Sequence, residues 1–295
     1  MKVEKPIIIV GTGRCGSTLL HRVVARHEDL GWLSPYNEVL PTQHWLSVFS
    51  NLYRWYPGSL KQKHLRFFPK PFEAYRFWEH YLPGFSRRNR PQTADDVPQE
   101  AIEPVRQVVS RILKYQGKKR FLVKVTGWSR IAYFNRIFPD ALFVFLNREP
   151  RAVVSSWIQA GWLDVTSGLD SPTWQWGEVP PPYYNLWQEL GAKPILSAAV
   201  KIQLDLDDIR RNMTQFQERC YQLEYEDLVT QPENTLQALL QFCQLPWSEQ
   251  FQRQVKSLTF YNPANKWKKY LSEEDGNLIL EFFNRAETYE LAPNP

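Results

Sequence analysis

Three features of the sequence predict a three-layer α/β fold, with a central parallel sheet flanked by helices and a P-loop-like turn after its first strand. Short apolar, β-branched runs alternate along the chain with stretches of helical period. The first run, IIIV (7–10), meets the glycine turn GTGRCGST and then a helical pattern. Further on, ALFVFLNREPRAVVSSWI (141–158) repeats the strand, turn, helix order. Such alternation places ligands at the carboxyl ends of the strands.

The elements follow in order. Residues 6–10 read as a buried strand and 17–27 as a helix with Leu19, Leu20, Val23 and Val24 on its apolar face. The stretch 31–40 lacks a convincing strand pattern. Residues 40–90 are aromatic-rich and helical in pieces, and the polar, proline-punctuated 87–100 is a loop. A helix over 100–116 precedes a strand over 120–127 and a short helix around 129–137. Pro150 falls in a first helical turn, where its missing N–H costs nothing. Residues 163–186, with Trp174, Trp176 and Pro180 to Pro182, read as an irregular insertion. Helix 195–218, strand 220–228 and helix 232–243 complete the series. Nothing repeats internally, so residues 1–295 are expected to form one domain.

Composition narrows the class. A 43% hydrophobic and 23% charged chain of 295 residues is globular and long enough for a substantial core. The formal charge of +5 is a mild excess that suits a phosphorylated small ligand at least as well as a nucleic acid. Three cysteines without a C-x-x-C pair make neither a disulfide framework nor a zinc knot. All five histidines lie within residues 21–80 without ligand spacing, so no metal is expected. With no apolar leader and no run of 18 apolar residues, a cytoplasmic protein without a membrane span is expected.

Gly11, Gly13 and Gly16 fit the dinucleotide pattern G-x-G-x-x-G, but no second strand with a terminal acid follows at the required distance. Gly11 and Gly16 also fit the nucleoside-triphosphate loop, with Ser17 where its lysine should stand. The helix N-terminus still binds an anion through unpaired N–H groups, and Arg14 adds a two-pronged cation. A tight turn with a solvated Arg14 is the structural alternative. A second anion site weighs against it: Arg148 ends the strand of LNREPRAVVSS, and Ser156 follows two turns into the next helix. Alternatively, Arg148 pairs with Glu149; Arg151 reads as the solvated one of the two arginines.

These paired motifs resemble the sulfotransferases that use 3′-phosphoadenosine 5′-phosphosulfate (PAPS), most closely the bacterial and tyrosylprotein-type branch. The resemblance continues through LEYEDLVTQPENTLQALLQFCQL and NKWKKYLS, and is weakest over 45–118 and 159–194. It implies that Arg14, Cys15, Gly16, Ser17, Thr18 and Leu19 cradle the 5′-phosphosulfate and that Arg148 and Ser156 hold the 3′-phosphate. Tyr225 and Lys266 resemble residues lining the adenosine and 3′-phosphate. Gly13 and Cys15 depart from the family's usual proline and serine. A lowered thiol pKa is conceivable for Cys15 beside Arg14, but a loop filler is the expected role.

The resemblance further implies in-line sulfuryl transfer to a hydroxyl or amine, with Arg14 and Lys124 stabilising the transferring group and Glu38 as base. Glu38 falls about three residues later than in the tyrosylprotein enzymes. Rival bases are Glu28 and Asp29, which read as a solvated helix end, His27, read as a helix C-terminal residue favoured by the dipole, and His44. Lys124 could instead snorkel from its strand end. Trp157, Trp162, Trp174, Trp176 and Trp187 suit a ring wall for the acceptor, or core anchors; Arg87, Arg88 and Arg90 suit an acidic acceptor, or a solvated loop. A small-molecule kinase with a degenerate loop and a non-catalytic nucleotide binder remain the alternative functions. The acceptor itself and the oligomeric state are not legible.

Overall fold

The computed structural model describes residues 3–55, 68–162, 168–262 and 265–289. Five strands form one all-parallel sheet in the order β2-β3-β1-β4-β5. They are β1 (Ile7–Val10), β2 (Leu30–Trp32), β3 (Arg120–Lys124), β4 (Leu142–Asn147) and β5 (Cys220–Glu224). In register, Ile7 lies between Leu122 and Leu142, and Asn147 faces Glu224. β1 holds the centre because IIIV is apolar on both faces, as a strand covered on both sides requires.

Alternate residues of β1 feed two cores. Ile8 and Val10 join Val123, Phe143 and Phe145 on one face, while Ile7 and Ile9 join Leu122, Val144 and Leu146 on the other. After β1 comes α1 (Ser17–Val24), and after β2 come α2 (Pro35–Val39), a 3₁₀ segment (His44–Asn51), α3 (Leu52–Trp55), α4 (Tyr75–Tyr81) and α5 (Ile102–Gln116). Between β3 and β5 lie α6 (Ile131–Ile137), α7 (Pro150–Gln159), α8 (Pro181–Glu189) and α9 (Ile195–Gln215). The chain then adds α10 (Tyr225–Thr230), α11 (Pro232–Phe242), α12 (Glu249–Lys256) and α13 (Glu273–Ala286).

Several boundaries differ from the sequence expectation. GW in 31–32 completes an edge strand: only three residues pair, too few to show a period, and Gly31 sits against Leu113 and Gln116. Helix α1 stops at Val24, three residues early. The strand expected over 220–228 ends at Glu224, because Tyr225 opens a helix with Glu226 and Asp227 in its first turn. The irregular 163–186 contains the start of α8, which Pro181 opens at its first position; residues 163–167 of that expectation lie outside the described residues. Helices α12 and α13 were not anticipated, although Ser248 and Ser272 cap them by accepting N–H bonds from Phe251 and Asp275.

Candidate active site

The switch point of the sheet lies between β1 and β4, whose following connections leave in opposite directions, and both anion motifs end there. The β1 turn closes tightly: Cys15 donates its N–H to the Thr12 carbonyl, and Gly16 caps α1 at φ 96°. A Cβ on Gly16 would lie 2.3 Å from the Tyr225 ring, so only glycine fits both the dihedral and the approach. Gly13 is required for a different reason. Its Cβ would meet Trp162 at 2.7 Å and Trp157 at 3.0 Å, and the Trp157 indole donates to the Gly13 carbonyl at 2.7 Å.

Two bonds fuse the motifs into one site. Arg14 Nε donates to Ser156 Oγ at 3.0 Å, and Arg148 donates to the Arg14 carbonyl at 3.0 Å. Arg148 also stacks over Tyr225 at 4.4 Å. It is therefore not the surface partner of Glu149. That carboxylate takes Arg151 instead, and Arg151 also covers Trp267 at 4.4 Å, so Arg151 is not solvated either.

A cavity of about 590 Å³ opens over the turn, lined by Arg14, Gly16, Ser17, Thr18, Arg148 and Ser156, with Glu38, Lys124 and His21. Behind Arg148 and Ser156 a second recess of about 250 Å³ continues to Tyr225, Tyr261, Lys266 and Trp267. Cys15 and Leu19 complete the turn outside both linings, as core rather than cavity residues. Burial raises the Cys15 thiol pKa, which removes the reactive-thiolate reading. Burial, with Lys124 and Arg22 nearby, holds His21 well below its usual value, so it is neutral at pH 7. Neither His21 Nε2 nor Arg148 Nε has a hydrogen-bond partner within the described protein. The Arg148 Nε–H is a donor of the kind that a bound anion would satisfy.

Lys124 is 6% exposed and does not snorkel. Its ammonium donates to Thr18 Oγ1 at 2.8 Å and pairs with Glu73 at 2.5 Å. Glu73 is the main residue the sequence reading missed. It precedes a short helix in a region without a recognisable motif, and only the fold brings it to β3. Glu38 lines the same cavity and accepts the Arg76 N–H at 3.0 Å. The rival bases lie elsewhere. His27 is fully buried past the end of α1, its ring bonded to the Asp29 N–H and to the Pro246 carbonyl, so it lies in the interior rather than at the cavity. Asp29 is partly buried and pairs with Lys119 at 3.6 Å, and His44 bonds the Tyr81 hydroxyl at 2.7 Å.

A third cavity, about 470 Å³, adjoins the first through Glu73, Tyr75, Thr126 and Trp162. Trp128, Trp157 and Trp176 wall it, with Arg87, Arg88 and the buried Lys201 in its lining. Trp187 is core, and Trp174 packs against the core. Arg90 is not a free loop cation, since it forms a forked pair with Asp96. That hydrogen bond, with help from Thr93, holds the Asp96 carboxyl down at about 2. A depressed carboxyl stabilises the fold above its unfolded value, and that contribution is lost as pH falls from about 4 towards 2. Asp96→Asn is expected to cost about 1 kcal/mol at pH 7, after allowing for screening at the exposed arginine. Thermal melts at pH 7 and pH 3 check it: the gap between variant and parent narrows at the lower pH.

Among the described residues, no three His, Cys, Asp or Glu side chains group closely enough for a metal, and no helix is long and apolar enough to cross a membrane.

The chain is 26% identical over 284 residues to the omega-hydroxy-beta-dihydromenaquinone-9 sulfotransferase of Mycobacterium bovis, covering 84% of this chain but 66% of that longer relative. Among solved structures, it shares its fold with a Mycobacterium tuberculosis sulfotransferase at a TM-score of 0.61 and 17% identity, over 97% of this chain and 77% of that one. A Mycobacterium avium sulfotransferase gives 0.60 and 14%, over 99% and 78%. The sulfotransferase family model matches residues 6–249, which include β1 to β5 and both anion motifs. With 244 of its 295 residues in that match, this chain belongs to the sulfotransferase family.

Proposed function

We propose that the protein transfers a sulfuryl group from PAPS to a hydroxyl or amine, releasing adenosine 3′,5′-bisphosphate. The observation that carries this reading is the bond pair from Arg14 to Ser156 and from Arg148 to Arg14, which joins two anion sites in one continuous recess. A nucleotide with phosphates at both its 3′ and 5′ positions needs two such sites. A triphosphate needs one elongated site and the lysine that Ser17 replaces. The turn from Arg14 to Thr18 would hold the 5′ end, with Cys15 and Leu19 shaping it from below. Arg148 and Ser156 would hold the 3′-phosphate, with Tyr225 and Lys266 beside the nucleoside.

The bound donor supplies an activated sulfuryl group on a phosphate leaving group. What remains for the protein is positioning and charge, as in phosphoryl transfer. Arg14 and Lys124 neutralise charge that grows on the leaving oxygen. Glu38 accepts the proton of the attacking group. The aromatic cavity beyond Glu73 and Trp162 receives the acceptor, its indoles covering a flat or apolar body.

The test is a thermal-shift comparison of adenosine 3′,5′-bisphosphate with ATP and NAD. At a hundredfold excess over Kd, a ligand that binds only the native state adds about 2.7 kcal/mol. Selective stabilisation by the bisphosphate is the expected result, and selective stabilisation by ATP overturns the reading in favour of a kinase. Product formation with a labelled donor separates an enzyme from a non-catalytic binder.

A further inference from the structure

Helix α9 is buried along residues 196–206, and a charged residue in a helix covered on all sides needs an explanation. Two such residues, Lys201 at 1% exposure and Asp205 at 0%, stand one turn apart and pair with each other. Burial pulls the Lys201 ammonium down and pushes the Asp205 carboxyl up to about 6. So deeply buried a pair is a poor source of stability, because the attraction hardly offsets the desolvation of two charges. The neighbouring charges have structural tasks. Asp208 accepts the Ser129 N–H at 2.7 Å, and Arg130 donates to the carbonyls of Phe85, Arg87 and Trp128 and to Gln92. Among the described residues, the Lys201 and Asp205 side chains form hydrogen bonds only with each other.

Both groups keep unused bonding capacity, and Lys201 brings the pair to the aromatic cavity. Its ammonium has three N–H groups and one acceptor, and it lines the cavity with its nitrogen 4.1 Å from the Trp128 ring and 5.6 Å from Trp176. Asp205 Oδ2 is buried without a hydrogen-bond partner. Gly127, also in the lining, has no side chain to screen the carboxylate. Apart from its chain neighbours, a Cβ there would meet only Asp205 Oδ1, at 4.0 Å. The pair also marks one end of the cavity. Trp162, whose face meets Arg14 at 5.4 Å, packs on Trp157 at 5.1 Å, and Trp157 packs on Trp176 at 5.4 Å. A row of three indoles therefore runs from the β1 turn to Lys201.

We propose that the Lys201–Asp205 pair binds a hydroxyl at one end of a flat molecule laid along the indole row. The hydroxyl oxygen accepts from Lys201 and its proton is donated to Asp205, which satisfies both groups and leaves the pair neutral. A carboxylate fits less well, since it would stand beside the Asp205 charge. The indoles cover the flat body. The ligand class is an aromatic or fused-ring molecule with a hydroxyl at each end, one at Lys201 and the other where the two cavities meet at Glu73. That this other hydroxyl receives a sulfuryl group rests on the sulfuryl-transfer reading; recognition at Lys201 does not.

The experiment is calorimetric titration of the full chain, with and without adenosine 3′,5′-bisphosphate. The probes are 2,6-dihydroxynaphthalene, 2-naphthol, 6-methoxy-2-naphthol and 6-hydroxy-2-naphthoate. The diol is expected to bind at least about tenfold more tightly than 2-naphthol, the scale of a hydrogen bond to a charged group. The ether accepts but cannot donate, so it should also bind more weakly than the diol. The double variant Lys201→Met, Asp205→Leu replaces the pair whole by apolar side chains, an exchange that buried pairs often tolerate. It should melt near the parent's temperature, keep the parent's bisphosphate shift and lose the preference for the diol. Equal binding of diol and naphthol by the parent, no binding of either, or a preference that survives in the folded variant overturns the inference. Tightest binding of the naphthoate overturns it too, and moves recognition to Arg87 and Arg88 in the same lining. If the double variant does not fold, the ether decides: weaker binding than the diol's upholds the inference, and equal binding overturns it. The bisphosphate shift, read on the same preparations, separates failure of this site from failure of the sulfuryl-transfer reading.

Discussion

Glu38→Gln should reduce kcat by about 10²–10⁴, the range supplied by a positioned general base, while leaving donor affinity nearly intact. The amide keeps the shape of the carboxylate, and its oxygen can still accept the Arg76 N–H, so α4 need not move. It cannot take a proton. Glu73→Gln is the necessary comparison. Its carboxylate is engaged by Lys124 at 2.5 Å, and its loss frees that ammonium to shift. If Glu38 is the base, its variant lowers kcat and kcat/KM together and removes the acidic limb of the pH profile, whereas Glu73→Gln leaves that limb in place. The reverse pattern would transfer the role to Glu73, which lines both the cavity over the β1 turn and the aromatic cavity beside it. Parallel losses of donor affinity and turnover on Glu38→Gln would make that residue structural.

Arg14→Ala should lower turnover by about 10²–10³, the scale on which loss of one preorganised donor to a developing charge is felt. The cause is local. Arg14 has φ 71°, a left-handed conformation uncommon outside glycine, and its guanidinium is fixed by Ser156 and by the face of Trp162 at 5.4 Å. Alanine keeps the backbone carbonyl that Arg148 binds, so the 3′ site should survive. Single-turnover kinetics with labelled donor check this. A near-normal rate would remove Arg14 from the chemistry.

Why the sequence disclosed one half of the site and hid the other has a physical answer. Arg14 and Arg148 follow strands, and a strand end in a parallel sheet has a fixed destination, so both positions could be read from pattern alone. Lys124 was legible on the same ground. Glu73 was not, because it precedes the seven-residue α4, where no periodicity announces which way a side chain turns. The Arg151 error has another source. Nothing near Arg151 in sequence points to a partner ring, but Trp267 arrives from 116 residues away to cover the guanidinium. Short elements failed for want of repeats, as with β2, α8 and α10, whereas the longer helices α5, α7, α9 and α11 were anticipated to within a few residues.

The two tryptophans above Gly13 carry a consequence for how this sequence can vary. Residue 13 and residue 162 occupy one volume: the space a proline ring would fill at 13 is already taken by indole. Gly13→Pro should therefore be poorly tolerated alone and recover only in part when Trp162 is replaced by a smaller residue, because Trp157 still stands 3.0 Å from a Cβ at 13, a compensation between positions 149 apart in sequence. Because Trp162 also borders both cavities, such an exchange would move bulk from the aromatic cavity to the turn. Variation at a position in the β1 turn is thereby tied to the size and shape of the neighbouring aromatic cavity.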